Sequence, residues 1–279
     1  MIVDKPAGPT SHDVVALVRR ATGIRRVGHA GTLDPFASGV LPVLIGRATR
    51  LVRFLVGLAK QYAGTVRLGI TTDTDDRTGA VLRVDEGWRT VSESALEAAM
   101  TSLTGSQAQV PPVYSAKKVA GVPAHRRVRR GQSVTLAPRP VSVAMFRCTG
   151  RDGPDVHFTA AVSSGTYVRA LARDLGERLG CGAHLLELRR TAVGPWDETD
   201  AIALDRLIPP FTAHPPLTAV QHLPHRPLDP TEVDAVRHGR PVQAGDAPAG
   251  PTALLDGGAL LAVAERRADL LVPCVVLDG

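Results

Sequence analysis

The sequence predicts an α+β fold that ends in a small β module. Three observations indicate this fold. Segments with helical periodicity and apolar segments of strand length follow one another through the first two thirds of the chain. A proline-rich stretch at 208–230 interrupts that pattern, and the remainder holds only short strand-like segments joined by Asp-Gly-Gly and Arg-Ala-Asp turns. A length of 279 residues suits one large domain with a small appendage.

The first helix is predicted directly after a Pro/Gly turn. It opens at Thr10 or Ser11, buries a side made of valines, and ends at Gly23, because glycine readily adopts the left-handed backbone that stops a helix. Lys5, just before the turn, could contact a phosphate. A solvated lysine at a turn is the more ordinary interpretation of that residue.

The strongest candidate for chemistry is Asp34, in the stretch GHAGTLDPFASGVLP. Pro35 disfavours the α region for the residue before it, so we expect Asp34 to be extended or in a turn. Gly31 and Gly39 permit backbone angles or close approaches that a side chain would forbid. A carboxylate on a stiff, glycine-flanked loop is a candidate catalytic group. The alternative is that Asp34 is an ordinary turn residue.

A strand at 64–70 and a helix at 92–103 follow this loop. Tyr62 stands at the entrance of the strand, where a tyrosine is more often a half-buried edge aromatic than a catalytic group. Within the helix, Ser94 and Glu97 have the spacing of a capping box. We expect these elements to belong to the same domain as the Asp34 loop.

The acidic segment TTDTDDRTG lies between that strand and that helix. The alternation of Asp73, Asp75 and Gly79 resembles a calcium-binding loop, but the distal bidentate glutamate is missing. We therefore interpret the segment as a solvated turn.

Basic residues cluster in the segment 109–139. No acidic residue lies between Lys117 and Arg139 to balance them, which favours an arm that binds a polyanion over an ordinary solvated helix face. The net charge of +6 also favours a polyanionic partner such as nucleic acid. The basic residues of the arm include Lys117, Arg126, Arg127, Arg129 and Arg130.

The later part of the first domain contains two strands, a helix and a further strand. The strands are predicted at 141–149, at 156–162 and in HLLELRRTAVGPW, where Leu188 alternates inward. The helix runs from Tyr167 to Leu179. Arg169 falls in its first turn, where a cation is unfavourable unless an anionic group answers it. We therefore expect Arg169 to have a carboxylate or phosphate partner.

Several classes of protein are excluded by composition. Three widely spaced cysteines argue against a disulfide framework or a structural zinc site and fit a reducing cytosol. No apolar run approaches the length of a membrane span, and the charged start lacks a secretory signal. We expect a cytoplasmic protein without a membrane or metal partner.

Six segments stand out along the chain, in the order DKPAGPTS, GHAGTLDPFASGVLP, KQYAGTVRLG, QVPPVYSAKK, SSGTYVRALARDLG and LELRRTAVGPW. Together they resemble the TruB family of tRNA pseudouridine-55 synthases. The resemblance covers residues 1 to about 200, and the C-terminal module is similar to the PUA-like tail of bacterial members. It implies a mixed, largely antiparallel sheet flanked by helices.

The resemblance assigns roles to residues at matching positions. Asp34 is implied to be the essential aspartate, Tyr62 to stack on the target uracil, and Arg169 to pair with Asp34. His29 is implied to help extract the base from the tRNA T loop, while Tyr167 and Leu188 line the pocket. Lys5, Lys117 and the arm arginines are expected to contact RNA.

The chemistry implied by the resemblance fits these residue types. A uridine inside a folded loop has to be flipped out before reaction, and aromatic and apolar surfaces recover part of that cost. Cleavage of the N1–ribose bond develops positive charge at C1′, which an ionised Asp34 can stabilise or trap. A bidentate guanidinium should fix that carboxylate and keep its pKa low. We expect no cofactor.

The implied organisation is a catalytic domain at 1–207, a linker at 208–230 and a PUA-like β module at 231–279, acting as a monomer on the T arm of tRNA. Two other functions remain open. One is a guide-RNA-dependent pseudouridine synthase of the dyskerin type, which shares the core motifs. The other is an RNA-binding or RNA-folding protein without catalysis.

Overall fold

The computed structural model describes residues 1–114, 118–119, 122–123, 136–207 and 213–277. Within these ranges the α-helices are α1 (Ser11–Thr22), α2 (Val52–Val56), α3 (Glu93–Ser102), α4 (Val168–Arg178) and α5 (Pro230–Arg237). Short 3-10 helices cover Gly46–Leu51, Glu86–Thr90, Glu198–Asp200, Leu204–Arg206 and Pro216–Val220. None of these helices has the length and apolar composition that a membrane crossing requires.

The strands of the first part of the chain are β1 (Ile2–Lys5), β2 (Val27–His29), β3 (Ser38–Ile45), β4 (Lys60–Leu68), β5 (Ile70–Thr72), β6 (Val81–Val84), β7 (Gly105–Gln109), β8 (Lys118–Val119) and β9 (Val122–Pro123). Those of the second part are β10 (Arg139–Asp152), β11 (Asp155–Val162), β12 (Ala183–Val193), β13 (Trp196–Asp197), β14 (Ile202–Ala203), β15 (His225–Pro227), β16 (Val242–Gln243), β17 (Pro251–Asp256), β18 (Ala259–Arg267) and β19 (Leu270–Val276).

A large mixed sheet forms the first domain, as expected. In the described part of the chain its order is β14-β1-β3-β12-β4-β11-β10-β7, with β13 beside β12 and β2 beside β3. Only the β1–β14 and β3–β12 pairs are parallel, so the sheet is largely antiparallel. β12 and β4 lie at its centre, and they carry predicted site residues.

The first helix forms as its sequence predicts. Thr10 is the N-cap and forms a capping box with Asp13, while Gly23 caps the C-terminus with φ 68°. Val14, Val15 and Val18 are buried, together with valines of β1 and β2. Because both ends are capped and one face is buried, α1 is a firm support for the loop that follows it.

Two local expectations are wrong. Helix α3 is capped by Ser92, whose hydroxyl accepts a hydrogen bond from the Ala95 amide at 3.1 Å, and not by Ser94. The helix begins at Glu93, so Ser94 lies within its first turn and Ser92 takes the cap position. The strand expected at 64–70 begins at Lys60 and breaks at Gly69, which has φ 80° and separates β4 from β5.

The C-terminal part forms its own sheet, in the order β15-β17-β18-β19-β16 among the described residues. Its strands and hairpin turns from β17 to β19 agree with the sequence prediction. The described part of the predicted linker contains a 3-10 helix and β15, which pairs in parallel with β17. The domain boundaries themselves stay predictions.

The two sheets share one apolar cluster. Ile2 and Val40 of the large sheet belong to it together with Val220, Ala253 and Val263 of the C-terminal part. Arginines reinforce this contact: Arg47 donates to the Leu277 carbonyl at 3.2 Å, and Arg53 lies 3.1 Å from Glu265. The β module is therefore packed against the first domain.

Gly39 lies where the backbones of β3 and β12 approach closely. It has φ 107°, and a Cβ there would lie 2.2 Å from the Arg190 carbonyl oxygen. We expect Gly39→Ala to lower the free energy of unfolding by about 3 kcal/mol or more, because the β3–β12 contact has to open. Urea unfolding followed by circular dichroism measures this.

Gly46→Ala is the matched control. Gly46 also has a positive φ, 63°, but no atom lies within 4 Å of a Cβ there. Its expected cost is only the ~1–2 kcal/mol of a left-handed residue. Equal losses in the two variants would show that the approach of β12 to Gly39 does not matter for stability.

Candidate active site

The Asp34 loop connects β2 to β3 and is fixed on both sides of the carboxylate. The Ser11 hydroxyl of α1 donates to the Leu33 carbonyl at 3.2 Å and accepts from the Leu33 amide at 2.9 Å. The Pro35 carbonyl accepts from the Gly8 amide at 2.7 Å. Since the backbone is held while about a third of the Asp34 side chain is exposed (36%), the carboxylate is steady and still accessible.

Arg169 is the partner of Asp34, as expected. Its Nε lies 2.9 Å from Oδ2 of Asp34, and its Nη2 donates to Oδ1 at 3.3 Å. The guanidinium also donates to the carbonyls of Thr74 at 3.0 Å and Tyr114 at 3.1 Å. With only 6% of the side chain exposed, Arg169 has little freedom to turn away from the carboxylate.

The expectation of a solvated acidic turn is wrong for Asp76, although Arg77 and Thr78 of the same turn are exposed. Asp76 is buried, and its Oδ2 lies 3.4 Å from Nη1 of Arg169. Its other oxygen accepts from the hydroxyls of Thr74 at 2.8 Å and Thr78 at 2.6 Å. The turn packs onto β12 through a bridge between Asp76 and Leu185. Arg169 is thus held between two carboxylates.

The pKa of Asp34 is raised, in contrast to the expectation that it is kept low. Burial is the largest cause, since it disfavours the charged carboxylate. Arg169 acts in the opposite direction, and the Asp76 carboxylate adds to the rise. The guanidinium therefore limits the rise without reversing it.

This balance gives a prediction for Asp76→Asn. Removing the second carboxylate should lower the Asp34 pKa, so the acid limb of the pH–rate profile should move to lower pH. The rate at its plateau should fall by about 10- to 100-fold, because Arg169 loses a charged partner that orients it. Single-turnover rates across pH measure both effects.

Asp73→Asn is the control, because Asp73 lies in the same turn but accepts from the Ala80 amide at 2.8 Å, whereas the ion pairs of Arg169 are with Asp34 and Asp76. It should leave the acid limb in place. An unchanged limb in Asp76→Asn would contradict the coupling between the two carboxylates.

Tyr62 and Leu188 provide apolar surface beside the carboxylate. Leu188 is buried, as its alternation predicts, and Tyr62 packs half-buried against the same cluster, which also contains Leu33 and Phe36. Burial raises the pKa of the Tyr62 hydroxyl, with Arg190 opposing and Asp34 adding to the rise. Leu33 and Phe36 flank the Asp34–Pro35 pair, so the cluster that Tyr62 packs against includes side chains of the Asp34 loop.

Tyr167 and His29 lie at the ends of elements that border the site. Tyr167 is the N-cap of α4, and both of its backbone polar groups bind the Gln109 side chain. The Tyr167 amide donates to Oε1 of Gln109 at 2.8 Å, and Nε2 of Gln109 donates to the Tyr167 carbonyl at 3.1 Å. His29 ends β2 and meets the ring of His12 edge-on at 5.4 Å. Its buried Nδ1 has no hydrogen-bond partner among the described residues.

The position of Lys5 contradicts both interpretations of this residue, the contact with a phosphate and the solvated lysine at a turn. It is fully buried, and its Nζ donates to the carbonyls of Pro6 and Pro9 at 2.9 Å and of Pro35 at 3.3 Å. Those bonds tie the first turn to the Asp34 loop. Burial, its largest influence, lowers the pKa of Lys5 to about 8, although the nearby Asp34 opposes the shift.

The RNA-binding role of the basic arm stays a prediction. Most of the arm and all of its basic side chains named above, including that of Lys117, lie outside the described residues. The arginines among them are Arg126, Arg127, Arg129 and Arg130.

Three residues near the site were missed at the level of sequence: Asp76, Gln109 and Arg190. Only Arg190 carried a usable signal. Alternation along β12 places it on the same face as Leu188, which was predicted to point inward. Asp76 and Gln109 gave none, since their partners are distant in sequence.

The comparisons with known proteins identify the class. The model of the TruB family pseudouridylate synthase N-terminal domain matches residues 19–168, and that of the tRNA pseudouridylate synthase B C-terminal domain matches 169–213. The fold is similar to the archaeal box H/ACA sRNP Nop10–Cbf5 complex (TM-score 0.75, 28% identity, 99% of this chain and 85% of that chain). The chain is thus a pseudouridylate synthase by class.

Curated relatives agree over nearly the full length. The tRNA pseudouridine synthase B of Thermobifida fusca (strain YX) is 47% identical over 100% of this chain and 98% of its own. That of Mycobacteroides abscessus is 49% identical over 90% and 85%. The chain belongs to the TruB family.

Proposed function

We propose that this chain isomerises a uridine of tRNA to pseudouridine, and that the uridine is the one at position 55 in the T loop. The observation that carries the proposal is the Asp34–Arg169 pair, with Nε of Arg169 2.9 Å from Oδ2 of a partly exposed carboxylate. Tyr62 packs against the cluster that contains Leu33 and Phe36 of the same loop. Relatives that span the chain are named tRNA pseudouridine synthase B.

The reaction needs a carboxylate that meets an extruded nucleoside. The bond between uracil N1 and C1′ breaks, the base turns, and C5 bonds to C1′ while the hydrogen of C5 is lost and N1 regains a proton. Attack at C1′, deprotonation of the ribose and addition to the uracil ring all require Asp34 to be ionised. Arg169 supports this, because it opposes the rise that burial imposes on the Asp34 pKa.

The surroundings of the carboxylate suit a planar base. The half-buried Tyr62 ring and the buried Leu188 offer stacking and apolar contact, which offset the few kcal/mol that flipping costs. His29 and Tyr167 lie at element ends that border the site, where we place their contacts with the T loop. The basic segment at 109–139 supplies charge for the tRNA backbone.

Tritium release from a tRNA transcript that carries [5-³H]uridine tests the proposal. We expect release without any added RNA or protein, and none from a transcript with cytidine at position 55 and labelled uridines elsewhere. Release that depends on an added guide RNA would instead support the guide-dependent class, whose fold this chain resembles. Tight binding without release would contradict catalysis.

A further inference from the structure

Arg190 is a buried guanidinium that holds both sides of the Asp34 loop. Only 1% of the residue is exposed. Its Nη2 donates to the Gly31 carbonyl at 3.1 Å, and its Nε donates to the Val40 carbonyl at 2.8 Å. These carbonyls belong to residues three before and six after Asp34, so one side chain spans the base of the loop.

The same guanidinium reaches Tyr62. Arg190 and Tyr62 are register partners in the β12–β4 pair at the centre of the sheet. Side chains of directly paired residues on neighbouring strands lie on the same face of the sheet, so the Arg190 guanidinium and the Tyr62 ring share one face. Arg190 therefore connects the loop of one predicted catalytic side chain to the phenol of another.

The charge of Arg190 is unusual for its position. Within the described ranges, no carboxylate lies within ion-pair distance of it, although an unanswered buried cation is costly. Its neighbour Arg189 shows the ordinary arrangement, with 38% exposure, a carboxylate of Asp4 at 3.0 Å and an ion pair with Glu198. Buried charges whose environment disfavours ionisation cluster at functional sites.

We propose that Arg190 is a positioning residue for the isomerisation, which fixes the Tyr62 phenol relative to the Asp34 carboxylate. The proposal rests on the proposed function. The carboxylate has to face the ribose while the ring faces the uracil, and the detached base has to be recaptured through C5. A displacement of about 1 Å between the two groups can cost ~100-fold in rate.

Arg190→Lys and Arg190→Gln test the proposal, with Arg189→Lys as the matched control. Lysine keeps a cation but has no planar fork to bind two carbonyls at once. We expect single-turnover tritium release to fall about 10- to 100-fold in Arg190→Lys and further in Arg190→Gln, while tRNA affinity stays within about threefold. Arg189→Lys should change neither quantity by more than about threefold.

A second readout reports on the phenol itself. The chain has three tyrosines, so protein labelled with ¹³Cζ-tyrosine gives three resonances. Tyr62→Phe assigns the one from Tyr62. We expect that resonance and its titration to shift in the Arg190 variants, and to stay in place in Arg189→Lys.

The proposal is overturned if both Arg190 variants release tritium at nearly the wild-type rate, or if the Tyr62 resonance does not move. Loss of the folded state in both variants, seen by circular dichroism, would also overturn it, since Arg190 would then serve the fold alone. A wild-type chain that releases no tritium would refute the proposed function, while the resonance would still report whether Arg190 holds the phenol.

Discussion

Asp34→Asn is expected to reduce tritium release by at least ~10³-fold while leaving tRNA affinity within a few-fold. The amide has nearly the shape of the carboxylate, so the loop held by Ser11 and Gly8 should keep its place. The amide carries no charge, however, and cannot stabilise positive charge at C1′ or act as a nucleophile or base. Single-turnover release and filter binding of tRNA measure the two quantities separately.

Asp152→Asn is the matched control. Asp152 is an exposed carboxylate at the β10–β11 hairpin, and the same loss of charge there should leave both quantities unchanged. Turnover by Asp34→Asn close to the wild-type rate would refute an essential role for the carboxylate. A parallel loss of tRNA affinity would assign Asp34 to binding.

Arg169→Gln is expected to cut the rate severely, by about 10²- to 10³-fold. The loss of its charge removes the influence that lowers the Asp34 pKa, so that pKa should rise further. Ionised Asp34 is the active form, so the acid limb of the pH–rate profile should move to higher pH. This shift is opposite in sign to the one expected for Asp76→Asn.

The free energy of unfolding of Arg169→Gln should also fall, and the size of the loss should depend on pH. Arg169→Gln leaves Asp34 and the buried Asp76 without their shared cation, at a cost of about 3–5 kcal/mol for a broken buried pair. A carboxylate with a raised pKa in the folded state destabilises that state when it is ionised. The loss caused by Asp34 should therefore be largest above its folded pKa and shrink as the pH falls through it.

Arg173→Gln is the control for Arg169→Gln. Arg173 lies one turn further along α4, and its carboxylate partners there are Asp75 at 3.1 Å and Asp174 at 2.7 Å. It should leave the acid limb where it is. If Arg169→Gln also leaves the limb unmoved, the guanidinium does not set the ionisation of Asp34.

Local signals were enough to predict the first helix and an anionic partner for Arg169. Thr10 and Gly23 satisfy groups within a few residues of themselves, so their roles are readable from neighbouring positions. Arg169 lies 135 positions from Asp34, yet a cation in the first turn of a helix already indicated an anionic partner. The family resemblance then supplied which carboxylate it was.

The misjudged residues depend on partners that local composition does not reveal. Asp76 sits among polar residues typical of a solvated turn, but its bridge to Leu185 of β12 buries it. Lys5 is buried because three carbonyls, one of them 30 positions away, surround its amine. In both cases, contacts with residues distant in sequence decide whether the charged side chain is exposed to solvent.

The apolar cluster shared by the two sheets has a consequence for experiments that truncate the C-terminal β module. Removal of β17 and β18 would take Ala253 and Val263 out of the cluster that also contains Ile2 and Val40, and would expose apolar surface to solvent. A truncated chain would then tend to aggregate, and a loss of its activity would not show whether the β module binds tRNA. The tail is better probed by altering its solvent-facing side chains one at a time.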